Sequence, residues 1–247
     1  MLDLVEVTVA FDALRAVDRV TLSVPRGQRR AVIGPNGAGK TTLFNAITGM
    51  ILPTSGRVIF DGHDVTRLPP HRRARLGISR TFQMTNLFQT LSVEDNMMLA
   101  VRGLSLRKFS LFGRSRLDPD EQIRIMSALR AVRLPSCNSV PIRELSYGEQ
   151  RQIEIAVSLV TQPRLLLLDE PAAGLSPAER SLVTEIICSL PNDITIVLIE
   201  HDMDLALGIA DHVTCLHEGR VLVEESPEAI RSNEAVQKVY LGSALRA

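Results

Sequence analysis

The segment Gly34-Pro35-Asn36-Gly37-Ala38-Gly39-Lys40-Thr41 leaves little freedom to the fold around it. It matches the pattern G-x-x-x-x-G-K-[ST]. The run Ala31-Val32-Ile33 before it reads as a short buried strand, and a helix is expected from Lys40 through Thr42 onward. Glycines let successive backbone N–H groups converge on phosphates, and a helix N-terminus adds positive potential. Lys40 can reach the β and γ phosphates, and the Thr41 hydroxyl can hold Mg²⁺. A loop hung between a strand and a helix in this way belongs to a parallel α/β sheet, so the pattern fixes a fold class as well as a ligand class.

The rest of the chain agrees with that class. Alternation in Val5–Val9 and Val20–Val24 predicts β structure, and Pro25-Arg26-Gly27 predicts a turn. Gly56–Phe60 predicts another strand. The middle reads as helical. Asp118-Pro119-Asp120-Glu121 combines an N-cap acid, Pro at the first helical position and Glu at the third, and Ile123, Met126, Leu129 and Val132 are expected to form one apolar face. Towards the C-terminus, strands at Leu165–Leu168 and Ile194–Ile199 alternate with helices beginning near Ser176 and Asp202. Val213–Leu216 and Arg220–Glu224 flank Glu218-Gly219 as a hairpin.

Composition removes several function classes. The 247 residues carry 28 Lys+Arg and 28 Asp+Glu, and zero net charge argues against a protein that coats nucleic acid. Trp is absent and only two Tyr occur, so base-stacking platforms are scarce. Cys137, Cys188 and Cys215 stand singly, which indicates neither a zinc site nor a disulfide framework and fits a reducing, cytoplasmic setting. No apolar run approaches the ~20 residues that span a bilayer. The acidic start Met1-Leu2-Asp3-Leu4 lacks the basic beginning of a signal peptide.

A second site motif lies downstream. Leu165–Leu168 runs into Asp169-Glu170-Pro171, two acids at the carboxyl end of a buried strand, where α/β sheets bind their ligands. Asp169 would orient Mg²⁺ or its water, and Glu170 would take a proton from an attacking water.

Leu145-Ser146-Tyr147-Gly148-Glu149-Gln150 stands ahead of that strand and resembles the signature motif of ABC ATPases. Phosphate loop, Gln83, signature, Asp169-Glu170 and His201 follow the order used by that family, and the resemblance covers essentially the whole chain. It implies an α/β P-loop NTPase of the ABC ATPase fold: a RecA-like parallel sheet core with an antiparallel β subdomain and an inserted α-helical subdomain. The chain would be one domain, 1–247, with about 1–83 and 161–247 as core and about 84–160 as the helical part. The resemblance further implies ATP hydrolysis with Mg²⁺, an adenine stacked on Phe11, and a phosphate cradle extending from Gly34 to Thr42. A core role for Phe11 is the alternative. Gln83 would touch Mg²⁺ or water, and His201 would contact the γ-phosphate. Ser146, Gly148 and Glu149 would face the γ-phosphate held by a second ATPase subunit, so that each ATP lies between two chains. The same Ser146 and Glu149 also fit a plain capping box. Two departures stand out: Tyr147 where Gly is commonest, and Ser176 where most members carry an acid.

Thr81-Phe82-Gln83, Leu91–Asn96, Pro171–Leu175 and Val239-Tyr240-Leu241-Gly242 look like the branched-chain amino-acid importer group. Such systems pair two different ATPase chains with two permeases and a binding protein. The long insertion between Val101 and Leu117 makes this chain resemble the first of the two ATPases. The implied location is the cytoplasmic face of the cell membrane, held there by permease subunits. A urea or amide importer of the same group is an alternative, as is a P-loop NTPase outside transport, although the N-K-x-D guanine signature is absent. Arg72, Arg73 and Arg75 with His71, and Arg102, Arg107, Lys108, Arg114 and Arg116 with Phe109 and Phe112, read as solvated faces or, alternatively, as contacts to a membrane partner or anionic lipid.

Overall fold

Alternation puts Leu2 and Leu4 of strand β1 (Leu2–Phe11) into the core, a register shift at Glu6 (φ 47°) changes the phase, and Val7 and Val9 follow them inward, while β2 (Leu14–Val24) pairs with β1 antiparallel. The structure is a computed structural model and describes residues 1–81, 87–103 and 118–244, with side chains through 240. After β3 (Arg29–Ile33) and α1 (Lys40–Thr48), the chain forms β4 (Ser55–Phe60) and β5 (His63–Asp64). These complete a four-stranded antiparallel sheet in the order β2-β1-β4-β5. The next elements are α2 (Pro70–Arg75), β6 (Ile78–Arg80), α3 (Val93–Gly103), α4 (Pro119–Ala131) and α5 (Tyr147–Leu159). Then come β7 (Leu165–Asp169), α6 (Pro177–Ser189), β8 (Thr195–Ile199), α7 (Met203–Ile209), β9 (His212–His217), β10 (Arg220–Glu225), α8 (Pro227–Ser232) and α9 (Glu234–Ala244).

The second sheet has six strands in the order β10-β9-β3-β8-β7-β6. All its pairings are parallel except that of the edge strand β10 with β9. Its central strands are buried on both faces, as parallel strands must be. In β7, Leu166 and Leu168 join a core with α4, α5, α6 and α7, whereas Leu165 and Leu167 join a second core with α1 and the antiparallel sheet. The carboxyl ends of β3, β6, β7 and β8 therefore open on one edge, which carries Gly34, Thr81, Glu170 and Glu200.

Two expectations need correction. The buried residues of α4 are Ile125, Ala128 and Leu129, continued by Val132, while Ile123 is exposed. Steps of three residues fall about 60° short of a full turn each, so Ile123 and Val132 lie on opposite sides of the helix. The i, i+3, i+4, i+7 set starting at Ile125 stays on one side.

The solvated basic patch fails at Arg73, which is 1% exposed. Its guanidinium donates to the carbonyls of Ala46, Ile47 and Thr66 at 2.7 Å and Leu68 at 2.9 Å. Ala46 and Ile47 lie in the last turn of α1, whose carbonyls lack intrahelical partners and carry partial negative charge. Burial lowers the Arg73 pKa to about 10, so it stays cationic at neutral pH. His71, Arg72 and Arg75 are exposed as expected. In the second basic stretch, Arg102 pairs with Glu121 at 3.3 Å. Arg107, Lys108, Phe109, Phe112, Arg114 and Arg116 lie outside the described residues.

Candidate nucleotide site

The loop after β3 is shaped by backbone that only glycine tolerates. Gly34 has φ +145°, and a Cβ there would collide with the carbonyl of Leu216. Gly39 has φ +98°, and a Cβ there would strike the carbonyl of Ala16. Helix α1 starts directly from Gly39 with no side-chain cap, whereas α4, α5, α6, α7 and α8 are capped by Asp118, Ser146, Ser176, Asp202 and Ser226. The first N–H groups of α1 thus lack the side-chain acceptor that these helices have, and that end of the helix suits an anion. Lys40 is buried, and its Nζ donates to the Gly34 carbonyl at 2.6 Å and the Pro35 carbonyl at 3.0 Å. Burial lowers its pKa, opposed by the nearby Glu170. The Tyr240 hydroxyl of α9 accepts from the Gly34 N–H at 2.8 Å. Sequence reading gave Tyr240 no role at the loop, because the two residues lie 206 positions apart.

A cleft of about 810 Å³ opens over the loop, lined by Phe11, Leu14, Ala16, residues 36–42, Glu170 and His201. Phe11 is 48% exposed in this cleft, so it is not a core residue. Glu170 Oε1 and His201 Nε2 lie 2.7 Å apart, and His201 is 43% exposed. Glu170 sits in the left-handed region, φ 48°, with its N–H held by the Ile199 carbonyl at 2.9 Å. Strands β7 and β8 pair in register from Leu165↔Thr195 to Asp169↔Ile199, and this brings Glu170 and His201 together.

Asp169 is 1% exposed. Its Oδ2 accepts from Arg80 at 2.6 Å, and Arg80 also donates to Asn45 Oδ1 at 2.6 Å. The second oxygen, Oδ1, is buried without a hydrogen-bond partner. A buried carboxylate oxygen with no donor is a suitable ligand for a divalent cation or its water. Thr41, exposed in the cleft, offers the second oxygen expected for Mg²⁺, so the residues present fit the metal. Gln83, the third expected ligand and a candidate catalytic group, lies outside the described residues.

Ser146, Gly148 and Glu149 are not among the residues lining the cleft. Ser146 caps α5: its hydroxyl accepts from the Glu149 N–H at 3.3 Å, and Glu149 Oε2 accepts from the Ser146 N–H at 2.8 Å. Gly148 is buried against the Glu179 side chain, whose carboxylate would have to shift to admit a Cβ. Tyr147 donates its hydroxyl to the Ala173 carbonyl at 3.3 Å and packs its ring beside Gly174, so the departure at this position joins α5 to the loop after Glu170. Ser176 caps α6.

Glu200 escaped sequence reading because it looks like one more polar residue beside His201. It is buried and accepts from the Ala172 N–H at 3.1 Å and the His201 N–H at 3.3 Å. Burial pushes its carboxyl up to about 7, and Glu170 and Asp202 add to the effect.

Comparison with known proteins points the same way. Residues 17–173 match the family model described as ABC transporter. The chain is 40% identical over 253 residues to the high-affinity branched-chain amino acid transport ATP-binding protein BraF of Pseudomonas aeruginosa, covering 99% of this chain and 98% of that one. It is 40% identical over 243 residues to the high-affinity branched-chain amino acid transport ATP-binding protein LivG of Escherichia coli, covering 95% and 94%. Among solved structures it is similar to the ADP conformation of MJ1267, an ATP-binding cassette of an ABC transporter. The TM-score there is 0.88 at 29% identity, with 98% of each chain covered.

Proposed function

The chain belongs to the ABC transporter family, and from that premise we propose that it binds and hydrolyses ATP to energise uptake of branched-chain or related hydrophobic amino acids through a membrane permease. The observation that carries the hydrolytic reading is the 2.7 Å approach of Glu170 to His201 inside the cleft over the phosphate loop. The amino-acid reading rests on the 40% identity to BraF and LivG over nearly the whole chain.

In this reading the N–H groups from Gly37 to Thr42 and the Lys40 ammonium hold the phosphates, and the exposed ring of Phe11 stacks on adenine. Lys40 leaves the Gly34 and Pro35 carbonyls for the phosphate oxygens, a stronger charge-assisted pairing. Asp169 and Thr41 hold Mg²⁺, which when bound neutralises charge on the phosphates. Glu170 takes a proton from the attacking water, and His201 steadies the Glu170 carboxylate and faces the γ-phosphate. Ser146, Gly148 and Glu149 serve an ATP held by a second ATPase chain. About 1–83 and 161–247 would make up the nucleotide core, and about 84–160 the helical part. In this reading the chain is held at the cytoplasmic face by permease subunits; no helix among the described residues is long and apolar enough to cross a membrane.

Glu170→Gln tests the chemistry. It should bind MgATP normally and lose about 10²–10⁴ in hydrolysis rate, read by nucleotide titration and phosphate release. Wild-type turnover would place the base elsewhere. Uptake of labelled leucine by cells lacking the chain tests the substrate, and undiminished uptake would sink the importer reading.

A further inference from the structure

Glu200 sits between β8 and His201, 4% exposed, and none of the steps above uses it. Its two oxygens are committed to different parts of the site. Oε1 accepts from the N–H of Ala172, in the loop that leaves Glu170, and Oε2 accepts from the N–H of His201. The Ala173 N–H in turn closes on the Glu170 carbonyl at 3.1 Å. Glu170 has the left-handed backbone that side chains avoid, so something must hold the loop around it. The contacts make a ring: Glu170 carboxylate to His201 imidazole, His201 backbone to Glu200, Glu200 to Ala172, and from there through the N–H of the next residue, Ala173, back to the Glu170 carbonyl.

We propose that Glu200 is a positioning residue, whose carboxylate ties the loop after Glu170 to the backbone of His201 so that base and imidazole approach the reacting water as one unit. This rests on the reading of Glu170 and His201 as the hydrolytic pair. Charge at this place is unfavourable for the fold, since burial opposes it and Glu170 and Asp202 add repulsion. The ionised form, which takes over as pH rises through about 7, nevertheless suits the task, because it offers two acceptor oxygens and no donor to two converging N–H groups. An amide of the same size has one acceptor and turns N–H towards N–H on the other arm.

The test uses the full-length chain, alone for ATP titration and with its transporter partners for hydrolysis. Glu200→Gln should lower kcat about 10–100-fold, the scale of a small misplacement of reacting groups, while MgATP affinity and KM stay at wild-type values. Glu200→Ala, which cuts both arms, should lower kcat at least as far with the same split. Wild-type kcat in Glu200→Gln overturns the proposal. So does a parallel loss of ATP affinity and kcat with a lowered melting temperature, which would make Glu200 a residue of the fold alone. Glu170→Gln is measured alongside, and full turnover there would overturn the reading of the hydrolytic pair and this inference with it.

Discussion

Lys40 shows how much one side chain can carry. It is buried, its charge is opposed by burial, and two backbone carbonyls accept from it while Glu170 and Asp169 stand near. Charge-assisted hydrogen bonds contribute about 1.5–3 kcal/mol. Lys40→Ala should therefore weaken MgATP binding about 10–100-fold, as measured with a fluorescent ATP analogue, and unchanged affinity would detach the loop from phosphate binding. Glu200 gives a prediction in the pH domain. Its folded pKa is raised to about 7 from an ordinary 4.5, so between those values the folded chain keeps a proton that the unfolded chain releases. The stability this supplies is present below pH 4.5 and is lost as pH rises through 7, at most about 3 kcal/mol by linkage. Glu200→Gln cannot titrate, so its melting temperature relative to wild type should rise between pH 5 and pH 8. A constant difference across that range would mean that the carboxyl titrates as in water.

Helix α1 is anchored at both ends by residues distant in sequence, and this is where sequence reading stopped. Its N-terminal glycine loop is local, and so are the capping boxes at Asp118, Ser146 and Ser176, so each was legible from a few adjacent residues. The anchors were not. Arg73 stands in a run of basic residues, and composition does not tell which of four neighbours turns inward. Only the packing of α2 against α1 brings its guanidinium to the carbonyls of Ala46 and Ile47. The buried side of α4 is hard to read for a related reason: Ile123 and Ile125 are equally apolar, and drift over steps of three residues carries Val132 to the side opposite Ile123 and onto that of Ile125. Arg73→Met keeps most of the side-chain bulk and removes the guanidinium donors to the carbonyls of Ala46, Ile47, Thr66 and Leu68, leaving Ala46 with the Gly49 N–H at 3.4 Å. Buried acceptors left unpaired cost about 1–3 kcal/mol each, so unfolding by urea should show a loss of about 3 kcal/mol or more. A loss under about 1 kcal/mol, the size of a surface change, would mean that solvent reaches the carbonyls instead. ATP affinity should fall only as far as stability does, because Arg73 lies at the far end of α1 from Lys40.

Across the whole molecule, one edge of the six-stranded sheet gathers Lys40, Glu170 and His201, which line the cleft, with Glu200 buried beside them, while Ser146, Gly148 and Glu149 stay out of the cleft. An ATP bound over Lys40 is therefore not enclosed by the signature of the same chain. The exposed N-terminus of α5 carries a partial positive charge, and its capping box satisfies only part of its N–H groups. A second chain bringing its own nucleotide would supply the anion, and two such chains would complete two sites at once. Closure would then depend on the γ-phosphate and reopening on its loss, which is how hydrolysis becomes motion. Within each chain, Tyr147 links α5 to the Ala173 carbonyl, and Ala172 is held by Glu200 beside His201. The surface proposed to meet a partner would thus be mechanically continuous with the proposed hydrolytic pair of the same chain. Ser146→Arg puts a long cation into this closing surface and leaves the phosphate loop untouched. The isolated chain should bind ATP with wild-type affinity, while nucleotide-dependent dimerisation and hydrolysis collapse. ATP titration and sedimentation on the same variant, with the cognate partner chain present, separate the outcomes. Lost ATP binding by the isolated chain would place Ser146 in its own site, and normal hydrolysis by a strictly monomeric chain would rule out a site shared between two.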